Sequence, residues 1–220
     1  MGKEIELTTA QDERFQAYLT GSDESRSGIL ILHEWWGVKP HNRQWADQFA
    51  DAGYQALVVD LYDGRVTDDA EQAALWMREI DQQATDHKLI AAIEYLARDG
   101  RKIAVYGCSF GGKQAIHASL LKPELVDATA IAYCRMETDP SKLANLQGPV
   151  LAIYAEQERN WPDKQHDFEQ AMNEADKQTE SVSYDAAHGF TNPTSPRYDE
   201  AADRAAWQVV INFLQQKLAG

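Results

Sequence analysis

Residues 106–112 read YGCSFGG, and this stretch decides how the chain folds. The four residues 103–106 form a short, wholly apolar run before it, and a helical pattern follows from 112 to 121. A buried strand that passes through a glycine-rich turn into a helix serves one of two purposes. It cradles a phosphate on backbone amides at the helix N-terminus, or it presents a nucleophile on a sharp turn. The segment GCSFGGK satisfies most of the phosphate-loop pattern GxxxxGK, but Gln114 follows where a Ser or Thr hydroxyl is needed to bind magnesium. The nucleophile pattern GxSxG is complete, with Gly107, Ser109 and Gly111 in its fixed positions. On so tight a turn the positions two before and two after the nucleophile approach each other and tolerate little side chain. Centring the turn on Cys108 would place Tyr106 and Phe110 there, so the register selects Ser109, and Cys108 reads as a small buried hydrophobe beside it.

Working outward, other short apolar runs at 29–32, 56–59, 128–132, 150–154 and 181–184 read as strands. Helical patterns lie between them at 41–52, 68–78, 85–98 and 163–175, and a last one spans 199–218. Two segments, 4–8 and 15–19, flank the polar TAQDER and read as an antiparallel pair. Strands alternating with helices predict an α/β fold, a mostly parallel sheet with helices on both faces. No linker composition or internal repeat divides the chain, so residues 1–220 read as one domain.

The 220 residues carry 21 basic and 35 acidic side chains, a net charge of −14. A surface this acidic does not suit nucleic acid, which is bound by displacing counterions with Lys and Arg. No apolar run reaches the ~18 residues of a membrane span, and MGKEIELTTA lacks the pattern of a secretory leader. A cytoplasmic protein with two reduced thiols, Cys108 and Cys134, is expected. No cofactor motif or metal-ligand spacing is present; Glu34 follows His33, but an HExxH motif would need His where Gly37 stands.

A serine hydroxyl needs a base, and on this type of turn the partners follow in the order Ser, acid, His. Of six histidines, His33, His41 and His87 precede Ser109, His117 lies within the following helix, and His166 sits on a charged helical face. His188, in DAAHGF after the last strand, occupies the end of the sheet where open α/β folds build their sites. The acid belongs after the strand at 150–154, where AEQERNWP offers Glu156 and Glu158, with Asp163 just beyond.

HEWWG after the first core strand, VVDLYDGR, YGCSFGG, AEQERNWP and AAHGF, taken in order, resemble the dienelactone hydrolase family of α/β-hydrolases. The likeness runs from about residue 29 into the last helix. The resemblance implies Glu158 as the acid, since the family carries an Asp four residues before a Pro and here Glu158 precedes Pro162. It also implies an oxyanion hole from the backbone N–H groups of Trp35 and Phe110. Many members use Cys at the nucleophile position, helped by a glutamate matching Glu34. With a hydroxyl instead, a carboxylate of pKa ~4.3 is too weak a base, which leaves proton transfer to His188 and a substrate-side or tuning role to Glu34. The two arginines with which dienelactone-cleaving members hold a carboxylate are replaced here by Asn192 and, by rough alignment, Ala70; Arg65 and Arg135 are possible substitutes.

The expected activity is hydrolysis of a small or medium carboxylic ester or lactone, neutral or aromatic, through an acyl-enzyme. Trp36, Tyr62, Tyr133, Trp161 and Phe190, with Glu34, are the expected pocket residues. Dienelactone hydrolysis itself, acyl transfer on the same residues, and a silent binding protein are the alternatives.

Overall fold

The computed structural model describes residues 2–219. Its eight strands are β1 (Lys3–Thr8), β2 (Arg14–Thr20), β3 (Ser27–Leu32), β4 (Gln55–Val59), β5 (Lys102–Cys108), β6 (Val126–Ala132), β7 (Val150–Ala155) and β8 (Thr179–Tyr184). They form one sheet in the order β1-β2-β4-β3-β5-β6-β7-β8. β1 and β2 pair antiparallel, β2 meets β4 antiparallel, and every pair from β4 to β8 is parallel. This is the expected α/β architecture.

The helices are α1 (Pro40–Asp51), α2 (Ala70–Glu79), α3 (Gln82–Leu96), α4 (Phe110–Leu121), the single-turn α5 (Pro140–Leu143), α6 (Asp163–Glu174) and α7 (Glu200–Leu218). Because strand side chains alternate, the sheet carries a core on each face. One packs Leu30, Leu57 and Val105 with Leu89 and Ile93 of α3, Ile116 of α4 and Phe168 of α6. The other packs Ile31, Val58 and Tyr106 with Trp45 and Phe49 of α1 and Val210 and Phe213 of α7.

Three departures from the expected elements have local causes. β6 begins at Val126, two residues before its apolar run, because the Asp127 carboxylate accepts the Ile103 N–H at 2.8 Å and stays on the strand. α4 begins at Phe110 rather than 112; its two glycines are poor helix formers, but the site demands them, as described below. The one-turn helix α5 is capped by Asp139, whose carboxylate accepts the Ser141 N–H; it is too short to show a helical period in sequence.

The chain runs from β3 through α1 to β4 on one side of β3, then returns through α2 and α3 to β5 on the other. Neighbouring parallel strands whose connections leave in opposite directions open a crevice at their carboxyl ends, where ligands bind in such folds. HEWWG follows β3 and Ser109 follows β5, so the two signature segments flank that crevice.

Candidate active site

The turn after β5 is built by absent side chains. A Cβ on Gly107 would run into the Gly111 carbonyl oxygen, and one on Gly111 into the Leu32 carbonyl, with the His33 oxygen 2.7 Å away. A Cβ on Gly112 would lie 2.7 Å from Cys134 Cβ. The clashing partners of Gly107 and Gly111 are backbone atoms of the elbow and β3, so neither can step aside. Between them Ser109 adopts φ 54° and ψ −119°, a conformation that L-residues occupy at a cost of order 1–3 kcal/mol and that clusters at functional sites. Although Ser109 occupies the N-cap position of α4, its hydroxyl does not cap the helix.

That hydroxyl meets His188 instead, with Oγ 2.8 Å from Nε2. His188 Nδ1 lies 2.6 Å from Glu158 Oε1. A carboxylate can only accept, so Nδ1 carries the proton and Nε2 is the free base that faces Ser109. Of the two glutamates left open by the sequence, Glu158 is the one in contact with the imidazole; the Glu156 backbone N–H bonds to the Tyr184 carbonyl at the end of β8. The second Glu158 oxygen pairs with Lys164 Nζ, which also donates to the Cys134 carbonyl at 3.1 Å. Burial alone would raise the Glu158 carboxyl, but hydrogen bonds from His188 and Lys164 and the lysine charge outweigh it and hold it below the usual carboxylate range. The His188 ring stacks edge-on against Tyr133, centroids 5.1 Å apart, and its side chain keeps 39% of its surface exposed.

Ser109 and His188 open into a cleft of about 660 Å³, also lined by Met77, Ile80, Gln114, Tyr133 and Met136. Besides the Lys164–Glu158 pair, three basic side chains, Arg78, Lys113 and Arg135, border it, partly offset by Asp163 and Asp167. Of the residues expected in a substrate pocket, only Tyr133 lines this cleft. The others lie outside its lining: Glu34, Tyr62 and Phe190 are buried, and Trp36 and Trp161 are half-buried and packed on neighbouring side chains. Tyr62 is fully buried beneath Phe110, ring centroids 5.5 Å apart, and Phe190 is fully buried between Tyr133 and Tyr184. Trp36 packs edge-on against Trp35 at 5.0 Å, and the Trp161 indole N–H bonds to Gln165 at 3.2 Å. Arg65 lies over the rings of Tyr62 and Trp76 and donates to the Tyr62 carbonyl, leaving Arg135 as the expected arginine that reaches the cleft.

Glu34 is buried as well, and its Oε2 takes hydrogen bonds from His41 Nε2 and Asn192 Nδ2, both at 2.9 Å. Asn192, noted in sequence only for the arginine it replaces, therefore ties the loop beyond His188 to the segment beyond β3. His33 donates through Nδ1 to the Glu34 carbonyl and accepts the Leu61 N–H at Nε2. Burial lowers its pKa, so it sits neutral as a structural link.

Cys108 points to the other face of the sheet. Its thiol is fully buried, donates to the Tyr106 hydroxyl at 3.3 Å and lies 3.8 Å from Thr191 Oγ1. Burial, reinforced by the Glu34 charge, pushes it up to about 12. Phe110 stands at the first position of α4, where a backbone N–H has no acceptor within the helix. Trp35 lies three residues beyond the end of β3, its N–H outside the hydrogen bonds of the sheet. Lys164 was not singled out in the sequence. Its signal was there: a lysine in the first turn of a helix opposes the macrodipole, which points to a partner elsewhere.

Among the described residues, no helix is long and apolar enough to cross a membrane. Comparison with known proteins places these observations in a group. The family model described as "Dienelactone hydrolase family" matches residues 15–218. Carboxymethylenebutenolidase of Rhodococcus opacus is 26% identical over 219 residues, covering 91% of this chain and 86% of its own. Carboxymethylenebutenolidase 1 of Cupriavidus pinatubonensis is 25% identical over 216 residues, covering 92% of each chain. The solved structure named m3DLH superposes with a TM-score of 0.87 at 22% identity, over 99% of this chain and 98% of that one.

Proposed function

We propose, from the premise that the chain belongs to the dienelactone hydrolase family and is an ester-bond hydrolase, that Ser109 attacks the substrate carbonyl and carries the acyl group. The observation that carries this reading is the unbroken path from Ser109 Oγ through His188 to Glu158, with steps of 2.8 and 2.6 Å. As Oγ bonds to the carbonyl carbon, its proton passes to Nε2, and Glu158 stabilises the imidazolium and fixes its tautomer. The carbonyl oxygen, now negative, is met by the N–H groups of Phe110 and Trp35; one such donor is typically worth about a hundred- to a thousandfold in rate. The tetrahedral intermediate collapses, the C–O bond of the leaving alcohol breaks, and His188 returns the proton to that oxygen. A water then attacks the acyl-serine with His188 again as base, releasing the acid and Ser109.

The cleft suits a small or medium ester or lactone. The expected preference for neutral or aromatic substrates rested on the two replaced arginines and on aromatic residues near the strand ends, of which Tyr133 lines the cleft while Tyr62 and Phe190 are buried in the core. Arg78, Lys113 and Arg135 support instead a substrate that carries an acidic group beside the scissile bond, held by side chains other than the two arginines that Asn192 and Ala70 replace.

The test is labelling with a fluorophosphonate, location of the adduct by mass spectrometry, and a panel of esters and lactones in neutral and carboxylate-bearing pairs, assayed beside Ser109→Ala. The expected outcome is an adduct on Ser109, loss of at least about 10⁴-fold in kcat in the variant, and preference for the acidic member of each pair. An adduct on Cys108, or full activity in Ser109→Ala, ends the proposal. Turnover only with an added alcohol or amine would move it to acyl transfer.

A further inference from the structure

Beyond the three residues of the proton path, the site holds a buried cation whose placement has no role in the helix that carries it. Lys164 is the second residue of α6, where the helix dipole disfavours a cation. Its side chain is only 9% exposed and that of Glu158 only 11%. Long basic side chains are seldom buried to this extent unless paired, and here the pairing is with the Glu158 oxygen that His188 does not use. The lysine is held from both ends. Its backbone N–H bonds to the Asn160 carbonyl at 2.9 Å, and its ammonium also donates to the Cys134 carbonyl at 3.1 Å. Cys134 follows β6 by two residues, so the ammonium spans the loop after β6, the loop after β7 and the start of α6.

We propose that Lys164 is a positioning residue of the hydrolytic site: by holding Glu158 Oε2, it fixes the rotamer in which Oε1 faces His188 Nδ1. The inference rests on the triad reading above and deepens it. A glutamate at the acid position has one more rotatable bond than the aspartate to which the resemblance compares it. That freedom allows either oxygen, or neither, to face the imidazole. A cation on one oxygen removes the choice and balances a charge that burial would otherwise disfavour. Orienting partners of this kind are commonly worth ten- to a hundredfold when removed, as they are around metal-bound histidines.

The other charged groups bordering the cleft are Arg78, Lys113, Arg135, Asp163 and Asp167, and none of them is paired with Glu158 or His188.

The experiment compares wild type, Lys164→Met, Lys164→Gln and Lys164→Arg, each with and without Glu158→Gln, by kcat and KM on an ester that the wild type cleaves. Circular dichroism and thermal melts establish folding; where Lys164→Met does not fold, Lys164→Gln and Lys164→Arg carry the same comparison. The expected result is a fall in kcat of about 10- to 100-fold in Lys164→Met with KM within about threefold. Lys164→Arg should recover most of it. In the Glu158→Gln background the lysine substitution should cost less than about twofold, since coupled residues do not add. A kcat within about twofold of wild type in Lys164→Met, no recovery in Lys164→Arg, or the same loss with and without Glu158 would each overturn the inference. Absence of Ser109-dependent turnover in the wild type would overturn the hydrolase reading and this one together, whereas normal turnover with an indifferent Lys164 overturns this one alone.

Discussion

Cys108 and Ser109 are adjacent in the chain and opposite in circumstance. The thiol is the more reactive group in water, yet it ends β5 with its side chain in the α1–α7 core, where burial suppresses the thiolate. The hydroxyl is the poorer nucleophile, yet it stands one residue later on a left-handed turn, open to the cleft and in contact with a base. Strand alternation and three glycines, rather than intrinsic reactivity, separate the two. Placement of the backbone decides which atom is available for chemistry, and the side chains around it then decide whether that atom is activated.

The first way to break this contrast is to disable activation while leaving placement intact. Glu158→Gln keeps the shape of the acid but can donate to His188 and favour the wrong tautomer, so kcat should fall roughly a thousand- to ten-thousandfold. Glu156→Gln is the control and should stay near wild type, and equal losses in both would mean that the acid is misassigned. The same ion pairs shape acid stability. Because the Glu158 carboxyl is depressed in the folded state, its stabilisation is complete above the unfolded value and is lost as pH falls through the folded one. The stability gap between wild type and Glu158→Gln, followed by urea unfolding, should therefore be present at neutral pH and close below about pH 4.

A second, smaller effect comes from attacking placement. Gly111→Ala would drive a methyl into the carbonyls of Leu32 and His33, atoms fixed in or beside the β3–β5 ladder. A loss of roughly 3 kcal/mol in unfolding free energy is expected, together with loss of fluorophosphonate labelling at Ser109. A variant as stable and as readily labelled as wild type would show that the elbow is not held by crowding. The smallest effect should come from the thiol. Cys108→Ala leaves a small void costing about 1–2 kcal/mol and should keep kcat within about twofold. Iodoacetamide at pH 8 should leave Cys108 of the native protein unmodified, and rapid alkylation with loss of activity would reverse the roles assigned to the two residues.

How much of this was legible in the sequence differs between the same two kinds of feature. Strand placement was readable because parallel strands buried on both faces are continuous apolar runs, and Ser109 was readable because crowding on a tight turn is a local property of five residues. His188 could be ranked by its place after the last strand. The choice between Glu156 and Glu158 could not be made from spacing alone, since both lie on one irregular loop whose course depends on its neighbours. The resemblance, not the local pattern, singled out Glu158. The cleft lining was misjudged for a physical reason. Tyr62 and Phe190 stand on loops at the correct end of the sheet, but large rings go wherever burial is available, and here that is beneath the site. Lys164 shows only one sign in sequence, a cation set against the helix dipole; its partner, six residues earlier across a turn, is at a separation with no periodic signature.

The buried carboxylate of Glu34 has a consequence for how the mouth of the crevice can move. It receives His41 from α1 and Asn192 from the loop beyond His188, and it belongs to the segment that brings Trp35 to the crevice. It joins three segments of chain. Separating the loop that bears the base from the segment that bears the proposed oxyanion donor would break the Asn192 bond and leave a buried carboxylate oxygen short of a partner.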